Sequence, residues 1–416
     1  MSIKLNTHTL DQQLLNWSRP NFEEPFQAAK AMQLAFDVAL KGLGQVSPNP
    51  LVGATLLDSQ SRFVATAAHL KYGSAHAEQN LIQMLQDQGL THKWKDAVLY
   101  VTLEPCAHQG KTPSCALHLS KLGFKKVVYA VQDPNPLVAG KGIAILKAAG
   151  IEVEQAFGDE AQARRLNDVF FHHFNHKRPF VALKAAQSLD GSIAYHGDQK
   201  KFISNDMSRL YGHFLRQKYD AIVVGPKTVI LDNPNLNVRY AKLAEQGIQI
   251  RDPKLVLFDP RAQILSSLAW QNIESLKSKR QVFWVLPDSA LIQKNFERIK
   301  TEMLEAQPEF KISAIFIDAE LAKEKILPRE ALEFVLIQLY MQGVFSLLVE
   351  GGAGLYQVFL QAGSVDKLHL FYSTEIMIGG GRVPFVLDAG EQRKIILKDR
   401  ELTLIEDNFL LEAYIS

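Results

Sequence analysis

The chain has 416 residues, of which 47% are hydrophobic and 22% charged, with a formal net charge of +2. These proportions are ordinary for a globular chain of two or three domains that buries its cores without disulfide staples. The near balance of charge excludes an overall basic field of the kind that recruits nucleic acid, and no run of about 18 apolar residues offers a membrane span.

Residues 1–25 are polar and weakly patterned and read as an extension outside the first core; they carry no apolar stretch of signal-peptide type. From Phe26 the apolar spacing becomes helical, with Met32, Ala35, Phe36 and Ala39 on one face and Gly42 and Gly44 at its end. A turn, SPNP, leads to the predicted strand LVGATLL. HAEQNLIQMLQDQG (76–89) predicts a helix, and AVLYVTL (97–103) and KKVVYAVQD (125–133) predict strands. KGIAILKAAG and EAQARRLNDVFFHHF predict further helices. This alternation implies a mostly parallel sheet covered on both faces. The polar stretch FNHKRPF marks a boundary, placing one domain at 26–174 and a second at 175–416.

The second half restarts with the strand FVALKAA (180–186) and a helix at NDMSRLYGHFLRQKY. Further strands are predicted at AIVVG, KLVLFD, VFWVL, AIFID and SLLVE, with the long helix REALEFVLIQLYMQG before the last. KLHLFYST and NFLLEAYIS read as strands with no helix between them, so this is a second α/β domain with an antiparallel edge.

The chain's two cysteines both lie in TLEPCAHQGKTPSC (102–115), as Cys106 and Cys115, too few for a disulfide framework. Upstream, KYGSAHAEQN supplies His76 and Glu78. His-x-Glu followed by Pro-Cys and a second Cys is the pattern of zinc-dependent nucleobase deaminases. Two thiolates and one imidazole give three ligands and leave a fourth position open, the arrangement of a catalytic rather than a structural zinc. Glu78 then stays off the metal and shuttles protons. His76 and Glu78, two apart, straddle the start of the helix, and Pro105-Cys106 reads as a strand end turning into a helix.

The spacing between the cysteines is eight residues where the general pattern has two. TLEPCAHQGKTPSC resembles the longer motif of the bifunctional riboflavin-biosynthesis deaminase/reductases. SPNPLVGA, AHLKYGSAHAE and QDPNPLVAGKG resemble the same family in the same order. In the second half LKAAQSLDGSIA, VVGPKTVILDNPNLNVR and LLVEGGAGLY do so as well, extending the resemblance over roughly residues 26–416. The resemblance implies a cytidine-deaminase-like three-layer α/β/α domain followed by a dihydrofolate-reductase-like α/β domain. It implies Zn2+ and NADPH as cofactors, with deamination of a phosphoribosylamino-pyrimidinone and then reduction of its ribosyl group to ribityl. It also implies a homo-oligomer, and the reduced cysteines suit a cytoplasmic enzyme.

Carried over residue by residue, the resemblance assigns Asn49, His69 and Lys111 to the deaminase substrate. Lys184, Lys200, Arg216, Leu236, Arg239 and Glu350 are assigned to the reductase substrate. Ala186, Phe202, Ser204, Thr228, Asp232 and the run Gly352, Ala353, Gly354, Leu355 and Tyr356 are assigned to the cofactor. Two positions depart from the family: Phe202 stands where a Trp is usual and Lys200 where a Ser is usual. The competing readings are a nucleic-acid-editing deaminase with an unrelated appended domain, which the charge balance disfavours, and a non-catalytic zinc- and nucleotide-binding regulator, which has no use for Glu78.

Overall fold

The structure is a computed structural model that describes residues 4–6, 27–107, 113–136, 138–195, 202–267, 270–271, 273–276, 279–387 and 394–415. Its chain forms two compact units that divide at His176/Lys177, with Ala241–Ile250 grouped with the first unit. The division falls at the FNHKRPF boundary, but the second unit is not one continuous stretch, since that ten-residue excursion leaves it. Strand β1, Lys4–Asn6, pairs in parallel with the second unit's sheet, so this part of the amino-terminal extension belongs there and not to the first core.

The first unit is built on a five-stranded sheet of β2 (Gly53–Leu57), β3 (Phe63–Ala68), β4 (Val98–Val101), β5 (Lys126–Tyr129) and β6 (Glu152–Gln155). The spatial order is β3-β2-β4-β5-β6. Only β4, β5 and β6 run parallel; β2 is antiparallel to both its neighbours. The mostly parallel sheet expected from sequence is therefore corrected to a mixed one. β3, β6 and the break of the last helical run into Glu160–Leu166 and Asp168–Asn175 were not legible in the pattern. β6 is mainly exposed and carries the acidic run EVEQ, so it lacks the apolar signature of a strand. Helix Ala28–Ala39 lays Met32, Ala35 and Phe36 onto the sheet, and helix Ala77–Asp87 adds Leu81, Ile82 and Leu85 to the same core.

The second unit contains β7 (Phe180–Gln187), β8 (Ser192–Tyr195), β9 (Ala221–Val224), β10 (Lys254–Phe258), β11 (Gln281–Pro287) and β12 (Lys311–Ile317). It continues with β13 (Ser346–Glu350), β14 (Lys367–Tyr372), β15 (Arg382–Pro384), β16 (Leu397–Ile405) and β17 (Asn408–Ile415). The main sheet runs β1-β16-β17-β14-β7-β13-β9-β10-β11-β12. It is parallel from β14 through β12, with β17 antiparallel to β14 and β16, which is the antiparallel edge expected. Val and Ile at alternating positions of the central strands feed separate cores on the two faces, as strands buried on both sides require.

One row of this sheet breaks the apolar rule. Glu350 on β13 registers with Lys184 on β7, Lys184 with His369 on β14, His369 with Glu412 on β17, and Glu412 with Glu401 on β16. Directly paired residues project to the same face, so ionisable side chains form a line across the sheet. Burial of such groups is tolerated only with partners. Glu412 lies 2.9 Å from His369 Nδ1 and 3.6 Å from Lys367 Nζ, while the Tyr219 hydroxyl meets His369 Nε2 at 2.8 Å.

Candidate functional site

In the first unit His76 is the N-cap of helix Ala77–Asp87 and keeps an extended backbone, φ −73° and ψ 167°. Its ring is therefore not bound to helical periodicity, and Glu78, in the first turn, is buried beside the same sulfurs. His76 Nδ1 lies 3.5 Å from Cys106 Sγ and 3.4 Å from Cys115 Sγ. One ligand atom from each of the three residues falls within 4.8 Å of the others. Tetrahedral zinc, with Zn–N of about 2.0 Å and Zn–S of about 2.3 Å, separates a nitrogen from a sulfur by about 3.5 Å, so this donor set fits the ion.

Cys106 is not at a helix start, which corrects the sequence reading. Residues 104–107 are irregular, and Cys115 instead opens the short helix Cys115–Leu119. The thiolate still receives a main-chain donor, because Cys115 N–H points to Cys106 Sγ at 3.4 Å. The returning chain is pinned to Cys106 by two further bonds to its carbonyl, from Ser114 Oγ at 2.9 Å and Ala116 N–H at 3.1 Å. A hydrogen bond from the Cys115 thiol, helped by His76 and opposed by burial, holds the Cys106 thiol down at about 4. The same bond, with burial and the Glu78 charge, pushes Cys115 up. Two sulfurs sharing a proton in this way are a donor pair whose proton a divalent cation displaces. Burial, then the Cys106 charge, pushes the Glu78 carboxyl up.

Asn49 Nδ2 and His69 Nε2 are 3.2 Å apart, and His69 Nδ1 lies 3.0 Å from the Ala75 carbonyl. With Nδ1–H donating to that carbonyl, Nε2 accepts from the Asn49 amide, which orients the amide oxygen. The His69 and His76 rings meet edge-on with centroids 5.3 Å apart, so Asn49 and His69 are brought to the metal-ligand cluster. Lys111 lies outside the described residues. A residue that sequence reasoning missed holds this loop: buried Asn167 accepts from Leu51 N–H at 2.7 Å and donates to Leu51 O at 3.0 Å. No local signal marks it, because its partner is 116 residues away.

In the second unit Arg216, on helix Asp206–Lys218, grips Glu350 through two bonds, Nε to Oε1 at 2.9 Å and Nη2 to Oε2 at 2.8 Å. Burial pushes Glu350 up, but Arg216 more than offsets it, so the carboxyl sits below its ordinary value. Lys184, alongside Glu350 in the sheet, has its ammonium pushed down by burial and lies 5.6 Å over the Phe371 ring. Arg216 Nη1 also donates to Asn237 O at 3.2 Å, a carbonyl that His213 Nδ1 approaches at 3.0 Å. Burial and the charge of Arg216 press the His213 imidazole down to about 4.

Leu236 is buried with φ +52°, strained for a branched residue, and buried Arg280 holds the turn by donating to Leu236 O at 2.8 Å. Arg280 too was invisible in the sequence, where it reads as one more surface charge. The turn leaves Arg239 exposed and Asn237 Oδ1 buried with no partner among the described residues, an acceptor fit for a ligand donor.

The proposed cofactor positions divide. Gly352 caps helix Ala353–Gln361, and a Cβ on either Gly352 or Gly354 would meet nothing within 4 Å. Main-chain amides thus border open space, which suits a dinucleotide's phosphates. The side chains of Leu355 and Tyr356 are instead core, and the Tyr356 hydroxyl donates to Lys184 O at 2.9 Å, leaving only their main chain for a ligand. Ala186 is half-buried on β7, and Thr228 and Asp232 lie at the ends of the π-helical turn Thr228–Asp232. Phe202 is 61% exposed with the Arg209 guanidinium 4.6 Å over its ring, and Arg209 Nη1 also donates to Ser204 O at 3.0 Å. Phe202 lines, with Ala194, Tyr195, Ile203 and Met377, a cavity of about 330 Å³. Lys200 lies outside the described residues.

Comparison with known proteins accords with both halves. Residues 26–131 match the cytidine and deoxycytidylate deaminase zinc-binding region, and residues 179–411 match the RibD C-terminal domain. The riboflavin biosynthesis protein RibD of Bacillus amyloliquefaciens is 37% identical over 357 residues, 86% of each chain, and that of Escherichia coli is 30% identical over 85% of this chain and 89% of its own. A solved deaminase/reductase from Thermotoga maritima is 31% identical with a TM-score of 0.72, covering 93% of this chain and 98% of its own. RibD of Acinetobacter baumannii is 30% identical with a TM-score of 0.69 over 93% and 98%. The matched regions, with the His76, Cys106 and Cys115 cluster, indicate Zn2+ and NADPH as the cofactors. The chain belongs to the RibD family, the bifunctional deaminase and reductase enzymes of riboflavin biosynthesis.

Proposed function

We propose that a first domain, at 26–174, deaminates 2,5-diamino-6-(5-phosphoribosylamino)pyrimidin-4(3H)-one. A second domain, at 175–416, then reduces the product's ribosyl group to ribityl. The observation that carries this reading is the convergence of His76 Nδ1 and the two cysteine sulfurs beside a buried Glu78. His76, Cys106 and Cys115 hold the metal. Bound Zn2+ supplies a Lewis acid that makes water nucleophilic near neutral pH, and bound NADPH supplies a hydride.

Glu78, kept off the metal, takes a proton from the attacking water on a carboxylate oxygen, gives it to a ring nitrogen, and serves the departing ammonia in turn. Asn49, its amide oriented by His69, reads a donor on the pyrimidine edge, and Lys111 is the further residue assigned to the deaminase substrate. In the second unit Arg239, the Leu236 main chain and Lys200 receive the phosphate, while Glu350, set by Arg216, and Lys184 face the ribose. Ala186, Phe202, Ser204, Thr228, Asp232 and the main chain of Gly352, Ala353, Gly354, Leu355 and Tyr356 border the cofactor. We take the small phosphoribosyl pyrimidine, rather than nucleic acid or membrane, as the partner, and a cytoplasmic homo-oligomer as the working form.

Glu78→Gln tests the reading. The variant retains zinc, loses ammonia release, and still oxidises NADPH on the pre-deaminated substrate. Loss of both activities together overturns the assignment of separable sites.

A further inference from the structure

We propose that Glu104 is a positioning residue of the deaminase centre, a buried carboxylate clamp that fixes where both zinc-binding sulfurs stand. Glu104 is 2% exposed and lies two residues before Cys106. Its Oε2 accepts from Asp133 N–H at 3.3 Å and Gly140 N–H at 3.0 Å. Its Oε1 accepts from Gly142 N–H at 3.1 Å and Ile143 N–H at 3.3 Å. The main chain is tied on the same side, Glu104 N–H donating to Val131 O at 2.9 Å. All these partners lie in or beside QDPNPLVAGKG, a stretch outside the His76, Cys106 and Cys115 cluster.

The stretch is shaped for this contact. Gly140 takes φ +74°, which turns the chain so that successive amides face the carboxylate. At Gly142 a Cβ would stand 1.9 Å from Pro105 O and 3.3 Å from Glu104 Oε1, so the two segments approach closer than any side chain allows.

The clamp reaches the sulfurs along a short path. Pro105 fixes its own φ, so few rotations separate a held Glu104 from the Cys106 side chain. Cys106 O in turn receives Ser114 Oγ and Ala116 N–H, the residues on either side of Cys115. The position of Cys115 Sγ therefore follows that of Cys106. Glu78 and His76 sit on another element, helix Ala77–Asp87 and its cap, so Glu104 governs the sulfur half of the site alone.

The inference rests on the deaminase reading, and the test separates the two. Full-length wild type and Glu104→Gln are each loaded with zinc and, separately, cobalt. Wild type that holds neither metal and releases no ammonia defeats the deaminase reading itself. Given a normal wild type, Glu104→Gln turns one acceptor oxygen into a donor that faces main-chain N–H groups. We expect zinc affinity in chelator competition to fall about 10–100-fold, as is usual for lost outer partners of a metal site. The sulfur-to-cobalt charge-transfer absorption changes, and kcat for ammonia release falls while KM moves less than about 2-fold, since Asn49 and His69 are untouched. NADPH oxidation on the deaminated substrate is unchanged. Wild-type zinc affinity and cobalt spectrum in Glu104→Gln overturn the proposal, even if its thermal stability drops. If Glu104→Gln does not fold, Gly142→Ala decides: it displaces the same segment through the Pro105 carbonyl, and the same loss of zinc supports the clamp while wild-type zinc affinity refutes it.

Discussion

The Arg216–Glu350 pair offers the sharpest test of the reductase half. Its side chains are 16% and 11% exposed, and the contact is bidentate at 2.8–2.9 Å. Glu350→Gln keeps the shape but leaves a buried guanidinium facing a neutral amide, with Asn237 O as its further acceptor among the described residues. Breaking a buried pair from one side costs about 3–5 kcal/mol. In a unit of this size each kcal/mol moves the midpoint by about 2–4 °C, so the transition falls by about 6–20 °C. Calorimetry reads this in the transition that NADPH raises, because a ligand stabilises the unit that binds it.

The pH dependence follows the same pair. The folded Glu350 carboxyl lies below its ordinary 4.5, so its contribution is fully present above that pH and is lost as pH falls through the lower folded value. Glu350→Gln accordingly flattens that acid limb of the reductase transition. Arg216→Met combined with Glu350→Leu recovers most of the lost stability without restoring NADPH oxidation, because an apolar pair leaves no orphaned charge. A drop below about 1 kcal/mol in Glu350→Gln, the range of exposed pairs, refutes the argument.

Two further outcomes follow from the geometry. Gly352→Ala leaves stability within about 0.5 kcal/mol, since φ is −103° and its Cβ meets nothing, yet raises KM for NADPH about tenfold, equivalent to about 1.4 kcal/mol; an unchanged KM in steady-state assays removes this turn from the cofactor site. Asn167→Ala strands the buried Leu51 N–H and carbonyl at about 1–3 kcal/mol each and raises the deaminase KM through the adjoining Asn49 loop, as urea unfolding and ammonia release will read.

What the sequence determined by itself was chemistry and order. The chain's two cysteines fall in one stretch, and with His76 and Glu78 farther upstream they carry a metal pattern that no fold is needed to read. The apolar runs of β7, β9, β10, β11 and β13 were legible because strands buried on both faces need no alternation. Tertiary structure decided what depends on distant partners. Lys184 reads as a charge interrupting a strand until β13 and β14 place Glu350 and His369 beside it. β2 turns antiparallel to β4 through pairing rather than propensity, and β16, with exposed Lys398 and Asp399, becomes a strand by pairing with β17 and β1. Glu104, Asn167 and Arg280 satisfy main-chain groups 29 to 116 residues away. Such contacts leave no periodicity in the chain, because a hydrogen bond to a distant amide constrains position in space and not spacing in sequence.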